Sequence, residues 1–562
     1  MRRLTNATFI ALLGTVSLAA ETIAQGVPDP GRIQQELQPP PAPTPPEQIT
    51  VPQQEGVETP ADSQQIRFLL REVELEGVSV FAVEELRPLY AKQLGQEISL
   101  ADLYAIAAEI QKFYRRRGYL FTRVLVPAQT IAEGKVILEV IEGFIEEVEI
   151  EGATPAQERR LQGFVRRIKA SRPLKLSVLE RNLLLMNDLA GYRVRAQLRA
   201  GQERGGSVLR LQFRHTPVNP FFEMNSWAPD TVGPVRAQAG LFLNSLMNQG
   251  ERITLSGASV PFQFSELASG RFELQLPLGS DGFTLTNTLN YTTVEPGANL
   301  RAFRIQGRSL NFSTGFSYPV VRSRRLNLFV SGLLDITNST TDSRFLGPAV
   351  TLSQDRVRHI RVGMSIDNVN QVGFTAGSIL LSQGLDAFDA RLSGTPNAPL
   401  SRANGSATAF KANFNFTQLF LLPKGFNGLL TGTAQVASTS LLATEQFGLG
   451  GPFFGSAYLP SQITGDDGYG LRFELQRPFR YQAETTPMLS QPYAFVDFGQ
   501  VFIKRPTVAE RPSQELASVG FGLRHFFGNA VQLRLELGFP LTRVTPGFER
   551  TPQFHFSLQG TF

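Results

Sequence analysis

From Thr216 to Phe562 apolar and polar positions alternate in segments of about ten residues, separated by turn residues. Phe272, Leu274, Leu276 and Leu278 alternate with Glu273, Gln275 and Pro277. A Gly279-Ser-Asp-Gly282 turn follows, and Phe283, Leu285, Leu289 and Tyr291 then alternate with Thr and Asn. One apolar and one polar face over this length predict the ~9–11-residue tilted strands that cross a bilayer. Sixteen such strands are expected between Asn219 and Phe562. Long loops are predicted at 295–306, 338–355, 385–407 and 441–468, and short turns near 248–250, 321–325, 370–372 and 423–425. Such alternation of short and long connections is that of an outer-membrane barrel. The last strand alternates Phe554, Phe556, Leu558 and Phe562 with His555, Ser557, Gln559 and Thr561. Closure would leave no backbone edge unpaired in lipid.

Upstream, helical periodicity appears, within a repeat. Val73-Glu-Leu-Glu-Gly77 recurs as Val148-Glu-Ile-Glu-Gly152, and Gly118-Tyr119 as Gly191-Tyr192, at offsets of 75 and 73 residues. Each copy opens with an alternating strand (68–76; 144–151) and continues into two helical patterns. The second helix is predicted to start at Ser99 and at Ser177, both placed as N-caps. Gly-Tyr then ends the helix and starts a strand, and a further strand closes the unit (135–142; 207–214). The order is β-α-α-β-β, an α+β unit whose three-stranded sheet has an edge that can accept another strand. In the second copy that edge is strand 192–199, with Tyr192 and the alternating Arg193, Arg195 and Arg199. The arginine face suits an acidic or polar segment, or else is a solvated face.

The N-terminal residues carry different signals. Arg2 and Arg3, an apolar stretch over 9–20 and small residues after it predict a secretory signal peptide over 1–24, cleaved after Ala19, Ala20 or Ala24. Residues 25–63 form a Pro-rich linker, with ten prolines between Pro28 and Pro60. Within it Ile33 and Leu37, spaced i,i+4, mark a candidate plug helix at 31–38, or else a turn of the linker. The expected division is 64–143 and 144–215 for the two repeats and 216–562 for the barrel.

Composition narrows the function. Of 562 residues 42% are hydrophobic and 18% charged, the net charge is +5 and cysteine is absent. The hydrophobic share excludes wholesale disorder, and no apolar run reaches the ~20 residues of a spanning helix. Absence of cysteine excludes thiolate metal sites, cysteine nucleophiles and disulfides. Forty-three Phe and 50 Gly against a single Trp fit β structure. Positive charge is spread along the chain rather than clustered, so no nucleic-acid partner is expected. His215, His359, His525 and His555 are too scattered for a metal site. Asp497-Phe-Gly499 lacks the phosphate loop of a kinase, and no nucleophile elbow or P-loop occurs. No cofactor and no enzymatic activity are expected.

Taken together, a signal peptide, a Pro-rich linker with a short helix, two β-α-α-β-β repeats and a sixteen-stranded barrel resemble the two-partner secretion transporters. These are the TpsB-type haemolysin secretion/activation proteins, related to the barrel-assembly insertases. The repeats then resemble POTRA domains. Leu442-Ala-Thr-Glu-Gln-Phe-Gly-Leu-Gly-Gly451 is similar to the lead-in of the family's sixth external loop, and Tyr493-Ala-Phe-Val-Asp-Phe-Gly499 to its Asp-containing strand. The resemblance implies an outer-membrane translocator with periplasmic POTRA domains, in contact with lipid and acting as a monomer. Its partner would be an unfolded, exported TpsA-like adhesin or haemolysin. An insertase of other barrels is the alternative, and a passive channel would have no use for two periplasmic domains.

One motif departs from the family. Its loop tip usually carries Val-Arg-Gly-Tyr, the arginine pairing with the strand aspartate; here the tip is Gly455-Ser-Ala-Tyr458, with Ser456 at the arginine position. Strand parity turns Asp497, Arg472 and Arg524 into the lumen. Arg472 or Arg524 is therefore expected to pair with Asp497, leaving Ser456 and Tyr458 only neutral hydrogen bonds to the wall and the loop loosely held.

Overall fold

The computed structural model describes residues 28–37, 49–50, 62–345, 347–508, 510–544 and 549–562. The predicted signal peptide, most of the linker and residue 38 of the candidate helix lie outside them. No helix among the described residues is long and apolar enough to cross a membrane; strands do so instead.

A closed antiparallel barrel of sixteen strands occupies the C-terminal part. Its first strand, Val218–Asn225, closes on the last, Gln553–Thr561, from Phe221↔Thr561 to Asn225↔Ser557. The terminal Phe562 adds its backbone N–H to the Pro220 carbonyl at 3.0 Å. One strand is broken in two, Asp467–Gln476 and Phe479–Ala483, both paired with Thr486–Phe502. Pro478 lies at the break, where a residue without an N–H cannot continue a ladder. Outward positions are apolar and exposed, among them Phe272, Leu289, Leu471, Phe473, Val496 and Phe521. Inward positions are polar and buried, including Glu273, Asn290, Arg361, Arg472 and Asp497. The loop expected over 338–355 is mostly strand: Leu326–Ser343 and Val350–Val369 pair up to Ser343↔Val350. Its Thr/Ser-rich sequence alternates like strand but is too polar for the lipid-facing band, so strand continues where loop was expected.

The first repeat packs Leu100–Arg116 on a sheet ordered Glu72–Glu76, Lys135–Ile141, Arg123–Leu125. Leu103, Ile106, Ala107, Ile110 and Tyr114, at helical spacing, form the buried stripe. Ser99 caps this helix reciprocally with Asp102. The opening strand is split into Arg67–Leu69 and Glu72–Glu76, because its two halves pair with different partners, Glu97–Ser99 and Lys135–Ile141. The first helix of this copy shrinks to Val83–Leu86 and two 3-10 turns, Arg87–Leu89 and Ala91–Gln93. Pro88 cannot continue an α-helix.

The second repeat has both helices, Pro155–Ala170 and Leu176–Asp188. The latter begins one residue before Ser177: its N-cap is Lys175, which has no side-chain cap bond, and the Ser171 hydroxyl accepts from the Lys175 N–H at 3.1 Å instead. The sheet is ordered Tyr192–Ala200, Gly206–His215, Phe144–Glu151, and a fourth strand, Ile49–Thr50, runs parallel to Tyr192–Ala200 on its outer side. The edge expected to be open is thus occupied by two residues of the Pro-rich linker.

Candidate functional site

Within the barrel the lumen holds two elements of the chain. The first is the helix Pro30–Glu36, shorter than the expected 31–38. Asp29 caps it, its carboxylate accepting from the Arg32 N–H at 2.8 Å, and Pro30 takes the first turn, where no N–H is needed. Ile33 is buried among Val232, Val260, Leu267 and Val294 of the barrel. Glu36 pairs with the lumenal Arg236 at 2.9 Å, and the Ser309 hydroxyl donates to the Gln34 side-chain oxygen at 3.2 Å. Apolar contact on one side and charge pairing on the other hold a helix too short to be stable alone.

The second element is the long loop between Asn427–Ala437 and Asp467–Gln476, folded back into the lumen. Its arms pair as Phe447–Leu449 with Ile463–Gly465, and Phe447, Leu449, Tyr458 and Ile463 pack on Val501 and Leu516 of the wall. Room for this comes from wall glycines: a Cβ at Gly499 would lie 2.5 Å from a Leu449 methyl. Gly450 turns the arm at φ +112°, where a Cβ would meet the Leu459 carbonyl at 2.0 Å.

At the tip, Ser456, Tyr458, Asp497 and Arg472 come together. The Arg472 guanidinium lies 3.2 Å from Asp497, 2.8 Å from Glu474 and 3.0 Å from Glu536, and donates to the Ser456 hydroxyl. It stacks over Phe495 at 3.8 Å. Asp497 also accepts from the Ser456 N–H at 3.3 Å and from the Ser518 hydroxyl. Arg524 is not on Asp497: it grips Glu474 with two bonds of 2.8 Å. The expectation that Ser456 keeps only neutral bonds is corrected, since it touches a guanidinium on one side and a carboxylate on the other. Tyr458 does make neutral bonds, its hydroxyl lying 2.9 Å from the Ala517 and Thr542 carbonyls. Sequence reasoning missed Glu536 and Arg534, which complete this network with Glu474; their inward parity was the available signal. A cavity of about 650 Å³ remains beside the helix and loop, lined by Arg32, Arg236, Arg402 and Glu510 among others.

The second repeat is docked beneath the barrel on successive turns. Arg160 donates to the Gln249 and Gly279 carbonyls at 2.6 and 2.8 Å, Arg167 to that of Ser280 at 2.6 Å, and Arg181 to that of Pro319 at 2.8 Å. Asp188 pairs with Arg322 at 2.7 Å and Glu180 with Arg324 at 2.6 Å. On the edge strand, Arg193 and Arg195 are exposed and Arg199 pairs with Glu149 at 2.7 Å. Tyr192 is not part of that face. It is 1% exposed, packs edge-on against Phe213 and accepts from the Ser245 hydroxyl of a barrel turn at 3.1 Å. Alternation along the strand turns it toward the helices, so it joins repeat to barrel rather than meeting a partner.

A polar-lined barrel filled by its own helix and loop, with paired α+β units docked at one mouth, defines an outer-membrane transporter whose POTRA domains are periplasmic. Residues 205–525 match the family model for the haemolysin secretion/activation proteins ShlB/FhaC/HecB, and residues 68–143 match that for the ShlB-type POTRA domain. The chain belongs to this family of two-partner secretion transporters. It is 23% identical to the heme/hemopexin transporter protein HuxB of Haemophilus influenzae (strain 86-028NP), over 97% of each chain. It is 24% identical to the hemolysin transporter protein ShlB of Serratia marcescens, over 81% of this chain and 79% of that one. Among solved structures, CdiB from Escherichia coli shares the fold at a TM-score of 0.72 and 19% identity, covering 98% of both chains. BamA from Haemophilus ducreyi lacking POTRA domains 1–3 shares it at 0.51 and 13%, covering 88% of this chain and 100% of that one. The chain is accordingly an outer-membrane translocator that secretes a partner protein, not a barrel-assembly insertase.

Proposed function

We propose that the exported partner, an unfolded TpsA-like adhesin or haemolysin, is captured as an added strand on Tyr192–Ala200. It then displaces Ile49–Thr50 and passes outward through the barrel once the helix Pro30–Glu36 leaves the lumen. The observation that carries this is the register Ile49↔Ala196 and Thr50↔Gln197: the edge accepts an extended segment running parallel to it. Main-chain bonds would supply the affinity, and the exposed Arg193 and Arg195 a preference for acidic or polar segments. The proposed units are the two POTRA domains over 64–143 and 144–215 and the barrel over 216–562, working as a monomer with its apolar outer face in lipid. No catalytic step and no cofactor are invoked; folding of the partner outside supplies the driving force.

A photo-crosslinking residue at Gln197, which is exposed on the edge strand, tests the capture. During active secretion it should trap a segment of the partner. Secretion at the normal rate with no crosslink to the partner would refute capture at this edge.

A further inference from the structure

The loop that carries Ser456 is fastened a second time, at its base rather than its tip. Glu445, 5% exposed, ends the 3-10 turn Ala443–Glu445 at the start of the loop. Its carboxylate lies 2.8 Å from Lys411, 3.0 Å from Arg361 and 3.8 Å from His359, all on barrel strands. Its backbone carbonyl accepts from Lys411 at 2.9 Å and from the Gln435 side chain at 3.2 Å. Arg361 is oriented in turn by Asp335 at 3.0 Å and by the Ser382 hydroxyl at 3.0 Å. Two carboxylates and two fixed cations balance in this buried cluster, and the loop supplies one carboxylate. These strands lie on one side of the loop in chain order, whereas the tip is held by the strands that follow it.

The same turn is the seat of the lumenal helix. Arg32 donates to the Ala443 carbonyl, Gln35 to the Thr444 carbonyl at 3.3 Å, and the Thr444 hydroxyl to Asp29 at 3.3 Å. The approach is close enough that a Cβ on Gly31 would lie 2.9 Å from the Thr444 methyl. A turn pinned to the wall by Glu445 thus presents its carbonyls and a hydroxyl to the helix.

We propose that Glu445 is the positioning residue that fixes the base of the loop, and that through this turn the helix Pro30–Glu36 and the loop are seated as one unit. The proposal rests on that helix acting as the plug. In a chain lacking cysteine, any introduced thiol is unique. Ile33→Cys, buried against the wall, reports exit of the helix through its maleimide labelling rate in outer-membrane vesicles. Glu445→Gln preserves shape but leaves Arg361 and Lys411 facing a single carboxylate, and removal of one partner from a buried charge cluster is strongly destabilising. Labelling should rise at least tenfold, and Glu445→Asp should restore most of the protection. Asp29→Ala alone should also raise labelling, and combined with Glu445→Gln should add little, as expected when both act through the same turn. All variants are compared as heat-modifiable, folded barrels; should Glu445→Gln not fold, Lys411→Gln removes the same pairing from the wall side. Labelling at the parental rate in a folded Glu445→Gln or Lys411→Gln barrel, or fully multiplicative effects in the double variant, would overturn the proposal. Failure of the plug reading is separate: it would show as unchanged channel conductance when residues 27–40 are deleted.

Discussion

Arg472 of the barrel wall reaches both Asp497, at 3.2 Å, and the hydroxyl of Ser456 at the tip of the inserted loop. In the family pattern that the sequence resembles, the arginine stands on the loop and the aspartate on the wall; here both charges belong to the wall and the loop contributes a hydroxyl and an N–H. The guanidinium still sits between tip and carboxylate, but it is delivered from the opposite direction. Glu474 and Glu536 share it, so its loss would leave three buried carboxylates with fewer cations.

Replacing Arg472 by Met should therefore loosen the tip, with a local cost of roughly 3–5 kcal/mol, the usual cost of breaking a buried pair. Limited proteolysis of the loop in membranes should become faster. Ser456→Arg alone is not expected to tighten the loop: position 456 is fully buried against Arg472, and two guanidinium groups would compete for one site. The exchange Ser456→Arg with Arg472→Ser should return cleavage close to the parental rate. Cleavage at the parental rate in Arg472→Met would show that the guanidinium is dispensable and that the Tyr458 hydrogen bonds and apolar packing hold the tip.

The lumenal helix gives a second expectation. Deleting residues 27–40 should raise single-channel conductance in planar bilayers. A milder variant, Arg236→Ala, removes the partner of Glu36 and should increase the frequency of open events rather than their size. Gly31→Val should act like the deletion in part, because the added atoms collide with Thr444. Conductance unaltered by all three would make the segment an ordinary linker.

Much of the architecture was legible because its signals are periodic. Strand alternation marks sixteen strands, and a repeated Val-Glu-Leu/Ile-Glu-Gly and Gly-Tyr marks two copies of one unit. Parity alone turned both Arg472 and Arg524 inward, but could not choose between them, because the choice depends on the neighbouring carboxylates. Glu474 takes both nitrogens of Arg524 and leaves Arg472 to span Asp497 and Glu536. Nor could spacing reveal Glu445, whose partners Arg361 and Lys411 come from strands far away in sequence. Tyr192 was misplaced for a related reason: alternation separates the two faces of a strand, and the arginines occupy the face opposite to it.

The first POTRA domain carries a pH-dependent cap. The Asp102 carboxylate accepts from the N–H and hydroxyl of Ser99, both at 2.8 Å, and these bonds hold its carboxyl below the usual carboxylate range. A carboxyl with a depressed folded-state pKa stabilises above its unfolded value of about 3.9, and that contribution fades as pH falls through the lower folded value. Hydrogen exchange in Leu100–Arg116 should thus be flat from neutral pH down to about pH 4 in protection, after allowance for intrinsic rates, and weaken below it. Ser99→Ala should cost about 1 kcal/mol at neutral pH. Equal protection in Asp102→Asn and parent at pH 7 would remove the carboxylate from this account.

The linker strand on the second repeat leads to a direct test of competition for the edge. Ile49↔Ala196 and Thr50↔Gln197 are neighbours in a parallel ladder, so their Cα atoms are separated by about the 4.8 Å of adjacent strands. That lies within the span a disulfide can bridge. With no other cysteine in the chain, Thr50→Cys with Gln197→Cys should form a single crosslink on mild oxidation. If the partner must take this edge by displacing the linker, the oxidised protein should secrete at a small fraction of the reduced rate, and reductant should restore it. Each single-cysteine variant should secrete normally under both conditions, which separates crosslinking from substitution. The exposed arginines allow a second arm: Arg193→Glu with Arg195→Glu should slow capture without disturbing the domain, since neither side chain is buried. Full secretion by the oxidised double-cysteine protein would mean that the partner binds elsewhere, and that Ile49–Thr50 can remain in place during transport.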